Sequence, residues 1–166
     1  MNVEQKIGML LKGCGCTLSV AESCTGGRIS HLITTVSGSS AYYLGSVTSY
    51  AVSVKESVLG VPAAVIESAG VVSSEVAAAM AQGVRRVTGS TFALATTGLA
   101  EGGDDHYPEG TVWIGVDGPM GTSTLLYKYN NGRKANIRRF STVALHFLLD
   151  SIQLYLNACG TNNKTE

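Results

Sequence analysis

Apolar residues fall at Val3, Ile7, Leu10 and Leu11, the spacing of a helix, and Gly13 and Gly15 end it. Thr17-Leu18-Ser19-Val20-Ala21 alternates over a short run and reads as a strand. Gly26-Gly27 follows, and then Ile29, Leu32 and Ile33 return to helical spacing, which predicts strand, tight turn and helix. Ser37-Gly38-Ser39-Ser40 breaks the pattern before a Tyr-, Val- and Thr-rich strand from Tyr42 to Tyr50. Val54, Val58 and Leu59 suggest a short helix closed by Gly60, and Pro62 opens another running to about Ser68. Ser73 caps a helix carried by Val76, Met80 and Val84 that stops before Gly89. Thr91 to Thr97 is a strand, and Gly98 to Gly110 is a polar loop. Thr111–Asp117 and Thr122–Tyr129 form a hairpin around Gly118-Pro119-Met120-Gly121, and Arg133 to Leu156 is a long helix.

This order predicts an α/β fold, a single-domain layered structure with a mixed central sheet flanked by helices. The domain takes residues 1–160, and 161–166 reads as a flexible tail. A length of 166 residues with 45% hydrophobic residues suits one core. The 12 basic and 12 acidic residues balance, so no basic face is available for nucleic acid. No apolar run is long enough for a membrane, and the N-terminus lacks a signal peptide, so the expected location is cytoplasmic. Low charge with many small residues points to a homo-oligomer. Cys14, Cys16, Cys24 and Cys159 read as reduced thiols, because a single glycine separates the first two and no histidine pair completes a metal set.

Four places could carry chemistry. The turn Ala21-Glu22-Ser23-Cys24-Thr25-Gly26-Gly27 offers backbone N–H groups at a helix start, which suits an anion, although Glu22 would repel one or pin the loop. Cys24 at that helix start is a candidate nucleophile. Ser40, Tyr50 and Lys55 form a second group. A lysine withdrawn from water loses its proton more readily, and with Tyr50 it could activate Ser40 or a water against an amide. Arg133, Lys134, Arg138 and Arg139 are the densest cations and suit phosphate. The loop from Thr96 to His106 follows a strand end, where α/β folds place ligands, and its Asp104 and Asp105 are weak metal candidates.

In these same places the chain resembles the CinA C-terminal domain family. The matching runs are Ala21 to Gly27, Gly38-Ser39-Ser40-Ala41-Tyr42-Tyr43, Leu59-Gly60-Val61-Pro62, Gly70-Val71-Val72-Ser73, Thr97-Gly98-Leu99-Ala100 and Gly110-Thr111-Val112-Trp113-Ile114, in the family's order. The resemblance implies a stand-alone amidohydrolase that converts nicotinamide mononucleotide and water to nicotinate mononucleotide and ammonia. It implies neither metal nor organic cofactor, and a small nucleotide as partner. It places the catalytic residues at Ser40, Tyr50 and Lys55, and ligand contacts at Glu22, Ser23, Thr25, Gly26, Gly27, Thr97, Gly98 and Arg139. The family name also points to competence and DNA damage, a role that no residue here supports.

Two departures bear on activity. The family's polar residues after the tyrosine are here Ala51 and Val52, and its Ala-Gly-Pro-Gly-Gly loop is Ala100-Glu101-Gly102-Gly103-Asp104. The added carboxylates oppose an anionic nucleotide. The alternative functions are therefore a weak or inactive nucleotide-binding module of the same fold, or an amidase that uses Cys24.

Overall fold

A computed structural model describes residues 1–160 fully and continues the backbone of the last helix through 162. The first helix, α1 (Val3–Cys14), begins in a reciprocal cap. Asn2 Oδ1 accepts the Gln5 N–H, and Gln5 Oε1 accepts the Asn2 N–H, both at 3.1 Å. There follow β1 (Leu18–Glu22), α2 (Arg28–Thr34), a 3₁₀ turn at Ser39–Ala41, β2 (Tyr43–Thr48), α3 (Val52–Ser57), α4 (Ala63–Ala69) and α5 (Ser74–Thr88). The chain then forms β3 (Phe92–Leu99), β4 (Thr111–Gly118), β5 (Gly121–Lys128) and α6 (Arg133–Asn162).

The five strands make one mixed sheet in the order β2-β1-β3-β4-β5. Strands β2, β1 and β3 are parallel, β4 is antiparallel to β3, and β5 is antiparallel to β4. The sheet separates two cores. Leu18 and Val20 of β1, Phe92 and Leu94 of β3, and Val112, Ile114 and Val116 of β4 bury against Ile7, Leu11, Ile29 and Ile33 from α1 and α2 and against Phe140, Ala144 and Leu148 from α6. Ala21, Ala93 and Ala95 face the other way, onto Val76, Met80 and Val84 of α5 and onto Leu59 and Val61. These alternate residues are small, so α5 lies close to the sheet.

The central strand β1 is buried at every position, Ser19 included, whose hydroxyl meets that of Ser90 at 2.7 Å. The expected α/β architecture and mixed sheet are what the structure shows. Several boundaries differ, three of them notably. The second strand is shorter than the predicted Tyr42–Tyr50. The third reaches Leu99, because its last residues pair with β4. Helix α6 passes the predicted end at Leu156, so 161 and 162 continue it, while the rest of the expected tail lies outside the described residues.

Candidate functional site

The chain leaves β1 for α2 and pairs β2 on one side, then crosses back so that β3 pairs β1 on the other. A crevice forms where parallel strands part in this way, at their C-terminal ends. Ser23 is the first residue after β1, and its backbone N–H donates to the Thr96 carbonyl of β3 at 3.1 Å. A cleft of about 410 Å³ lies there, in the size range of small-molecule sites. Ser23, Lys55, Thr97 and Gly98 line its wall, and Tyr50, Glu101, Asp104 and Arg133 are also part of its lining.

The chemistry centres on Lys55. It projects from α3 with none of its surface exposed. Its Nζ donates to the Ser23 hydroxyl at 2.8 Å and to the Ser49 carbonyl at 2.6 Å. Burial pushes its pKa below the ordinary 10.5, because the charged form loses hydration. A neutral Nζ held by the Ser49 carbonyl has a lone pair available to the Ser23 proton, which is the arrangement of a base beside a nucleophile. The Ser49 hydroxyl is also buried, with no hydrogen-bond partner among the described residues.

This geometry corrects the assignment of Ser40. That serine is exposed, in the 3₁₀ turn before β2. Strand β2 is parallel to β1, so its first residue is at the opposite pole from the cleft. Its six residues, at about 3.3 Å each, put the two ends roughly 17 Å apart. The hydroxyl that meets Lys55 belongs to Ser23, which the sequence reading took only for a ligand contact. The signal was its place directly after the central strand.

A second correction concerns the turn itself. Glu22 is fully buried and is the anion at the start of α2. Its Oε2 accepts the Thr25 hydroxyl at 2.6 Å and the N–H groups of Gly27 and Ile29 at 3.1 Å, and its Oε1 accepts the Ser30 N–H at 2.8 Å. The donors expected for a ligand are thus taken by the protein. Gly26 and Gly27, at φ 62° and 96°, let the backbone fold over this carboxylate. Glu22, Thr25, Gly26 and Gly27 therefore hold the turn and do not line the cleft.

Arg139 is elsewhere as well. Its Nε donates to the Tyr127 hydroxyl at 2.9 Å, and its guanidinium lies over the rings of Tyr127 and Tyr129. The arginine at the cleft is Arg133, first in α6, whose Nη2 donates to the Tyr50 hydroxyl at 2.9 Å. Its Nη1 is 3.8 Å from Glu101 Oε2. Six residues along a helix turn a side chain well away from the face of the first, so only one of the two could reach the cleft.

Thr97 and Gly98 do line the wall. The Thr97 hydroxyl donates to the Val71 carbonyl at 2.9 Å. A Cβ on Gly98 would sit 2.5 Å from the Thr111 carbonyl oxygen, so only glycine allows β3 and β4 this approach. Cys24 is 7% exposed, and burial, followed by the charge of Glu22, pushes its thiol up to about 12. That removes the thiolate a cysteine nucleophile needs. Among the described residues, no group of three or more His, Cys, Asp or Glu is placed to hold a metal. No described helix is long and apolar enough to cross a membrane.

Fold and cleft define a class, an α/β domain whose ligand site lies at the parting of parallel strands and is built around a buried serine–lysine pair. The pattern of the CinA C-terminal domain matches residues 1–152, and the chain belongs to that family. It is 48% identical over 150 residues to a CinA-like protein of Desulfosudis oleivorans, a match covering 88% of this chain and 36% of the relative. A CinA-like protein of Geobacter sulfurreducens is 43% identical over 148 residues, with coverage of 88% and 36%. The chain thus spans little more than a third of the length of these relatives. Two solved structures have the same fold. Competence damage-inducible protein A (ComA) from Klebsiella pneumoniae superposes with a TM-score of 0.88 at 26% identity, over 92% of this chain and 98% of that one. The competence/damage inducible protein CihA from Agrobacterium tumefaciens gives 0.84 at 29% identity, over 91% and 93%.

Proposed function

We propose that this domain hydrolyses the carboxamide of nicotinamide mononucleotide, without a metal, using Ser23 as nucleophile and Lys55 as base. The observation that carries this reading is the Lys55 Nζ, wholly buried and 2.8 Å from the Ser23 hydroxyl. Neutral Lys55 takes the Ser23 proton as Oγ attacks the amide carbon. The tetrahedral adduct collapses, the C–N bond breaks, and the proton passes from Lys55 to the departing nitrogen, which leaves as ammonia. Water then attacks the acyl ester, again losing its proton to Lys55, and nicotinate mononucleotide departs with Ser23 restored. Tyr50, tethered to Arg133, is assigned to the approach of the substrate.

Ammonia release from nicotinamide mononucleotide, measured with EDTA present, tests this reading. We expect turnover by the wild-type chain and a loss of about a hundredfold or more in Lys55→Ala. Absence of turnover at high enzyme, or full turnover by Lys55→Ala, counts against it. One observation favours a second reading, a binding module with little activity. Glu101 and Asp104 put carboxylates in the cleft lining, where they oppose a nucleotide phosphate. That reading predicts stabilisation by the nucleotide without ammonia.

A further inference from the structure

The cleft lining holds two cations, Lys55 and Arg133, and two carboxylates, Glu101 and Asp104. Three of these four make hydrogen bonds. Lys55 is spent on Ser23 and the Ser49 carbonyl. Asp104 Oδ1 accepts the N–H groups of His106 at 2.8 Å and Tyr107 at 2.6 Å, so its charge serves the loop's own turn. Arg133 gives one hydrogen bond, to Tyr50. Its contact with Glu101, at 3.8 Å, is too long for a hydrogen bond and is an ion pair only.

That pair is positioned by the fold. Asn136, one turn into α6 and fully buried, donates to the Ala100 carbonyl at 2.9 Å and to Asn130 Oδ1 at 3.2 Å, and its Oδ1 accepts the Asn131 N–H. The residue before Glu101 is thereby fixed to the turn of helix that carries Arg133. On the far side of Glu101, the Gly102 N–H reaches Glu109 Oε2 at 3.4 Å. Glu101 is held where its carboxylate meets the guanidinium, yet both side chains keep contact with solvent, 43% for Arg133 and 68% for Glu101. An arginine that can form two parallel bonds to a phosphate is thus engaged by a carboxylate that forms none with it.

We propose that Glu101 is a specificity-determining residue: it competes with the anionic group of a ligand for Arg133, and so narrows the preference of the cleft for a nucleotide over the corresponding uncharged nucleoside. This rests on the amidase reading for its choice of ligands, but the competition is a matter of binding. A phosphate entering the cleft must displace Glu101 from Arg133 and then lie near its charge. A ligand without the phosphate displaces nothing.

The experiment measures dissociation constants by calorimetry, and KM and kcat where ammonia is released, for nicotinamide mononucleotide and for nicotinamide riboside. Wild type, Glu101→Gln, Glu101→Asp, Arg133→Met and the double variant Glu101→Gln/Arg133→Met are compared. Glu101→Gln should tighten nucleotide binding by about three- to fivefold, the scale of one partly exposed charge pair. Its riboside affinity should change far less than its nucleotide affinity, and Glu101→Asp, a methylene shorter on a contact already 3.8 Å long, should fall between wild type and Glu101→Gln. In the Arg133→Met background the Glu101→Gln gain should shrink to the part that comes from relieved charge repulsion, since the competition itself needs both residues. Equal changes for both ligands, no gain for the nucleotide, no binding of the nucleotide by Glu101→Gln, or the full gain without Arg133 would each overturn the proposal. Binding that behaves as described with no ammonia from either ligand would leave Glu101 its role and remove the amidase reading instead.

Discussion

Ser23 and Ser40 carry the same hydroxyl, and their surroundings separate them. Ser23 is 8% exposed and meets a buried amine, whereas Ser40 is on the surface at the other pole of β2. Ser40, Tyr50 and Lys55 formed one candidate group, and the resemblance implied that they are the catalytic set. Spacing along a chain does not report which end of a parallel strand a residue occupies, and this is why the serine was misplaced while the lysine was not. Lys55 was legible through the resemblance, because by position alone a lysine just past a strand end is an ordinary surface residue. Its lowered pKa gives a prediction at this scale. If neutral Lys55 is the base, kcat/KM rises with pH along a limb whose midpoint is below 10.5. A midpoint at or above that value, or the same limb in Lys55→Ala, would contradict the assignment.

At the scale of elements, α2 shows why the glycine-rich turn misled. A helix of seven residues has most of its N–H groups at or near its start, and they need an acceptor. The sequence presented those donors and the resemblance gave them to a ligand, although Glu22 stood beside them as a residue that could pin the loop. The protein supplies Glu22 instead, which accepts three backbone N–H groups and one hydroxyl. Glu22→Gln keeps the shape but loses the charge and turns an acceptor into a donor. It should cost about 2–3 kcal/mol, read as a lower denaturation midpoint with the same m-value. An unchanged midpoint would mean that this carboxylate does not hold the turn. The strands were legible from their alternation and their β-branched and aromatic content, helix α1 from its apolar spacing and α5 from its Ser73 cap, whereas the Asn2 cap of α1 was not read from the sequence. The extension of α6 past Leu156 was not legible either, because Leu156 is the last apolar position of its periodic pattern.

Over the whole molecule, element order was enough to predict a mixed sheet between helices, since connections in such folds are short and regular. The order β2-β1-β3 was not legible, and the resemblance alone put Ser23, Lys55 and Thr97, which come from three separate stretches of chain, into one site. Placing an amine in this interior also affects the stability of the whole. Lys55 has a lower pKa folded than unfolded, so between the two values the unfolded chain binds more protons. Stability should therefore rise with pH as it climbs from the folded value of Lys55 toward 10.5. Lys55→Met should flatten that rise and melt higher than wild type at neutral pH while losing turnover, as expected where an active-site group is held against its preference for water. A variant that keeps the full pH dependence would show that another group is responsible.

The most direct test of the serine–lysine cleft is a comparison of Ser23→Ala with Ser40→Ala in ammonia release from nicotinamide mononucleotide, each variant first shown to be folded. Ser23→Ala should lose about a thousandfold or more in kcat, while Ser40→Ala should stay within about twofold of wild type, as surface changes remote from a site do. Turnover surviving in Ser23→Ala and lost in Ser40→Ala would contradict the assignment of Ser23.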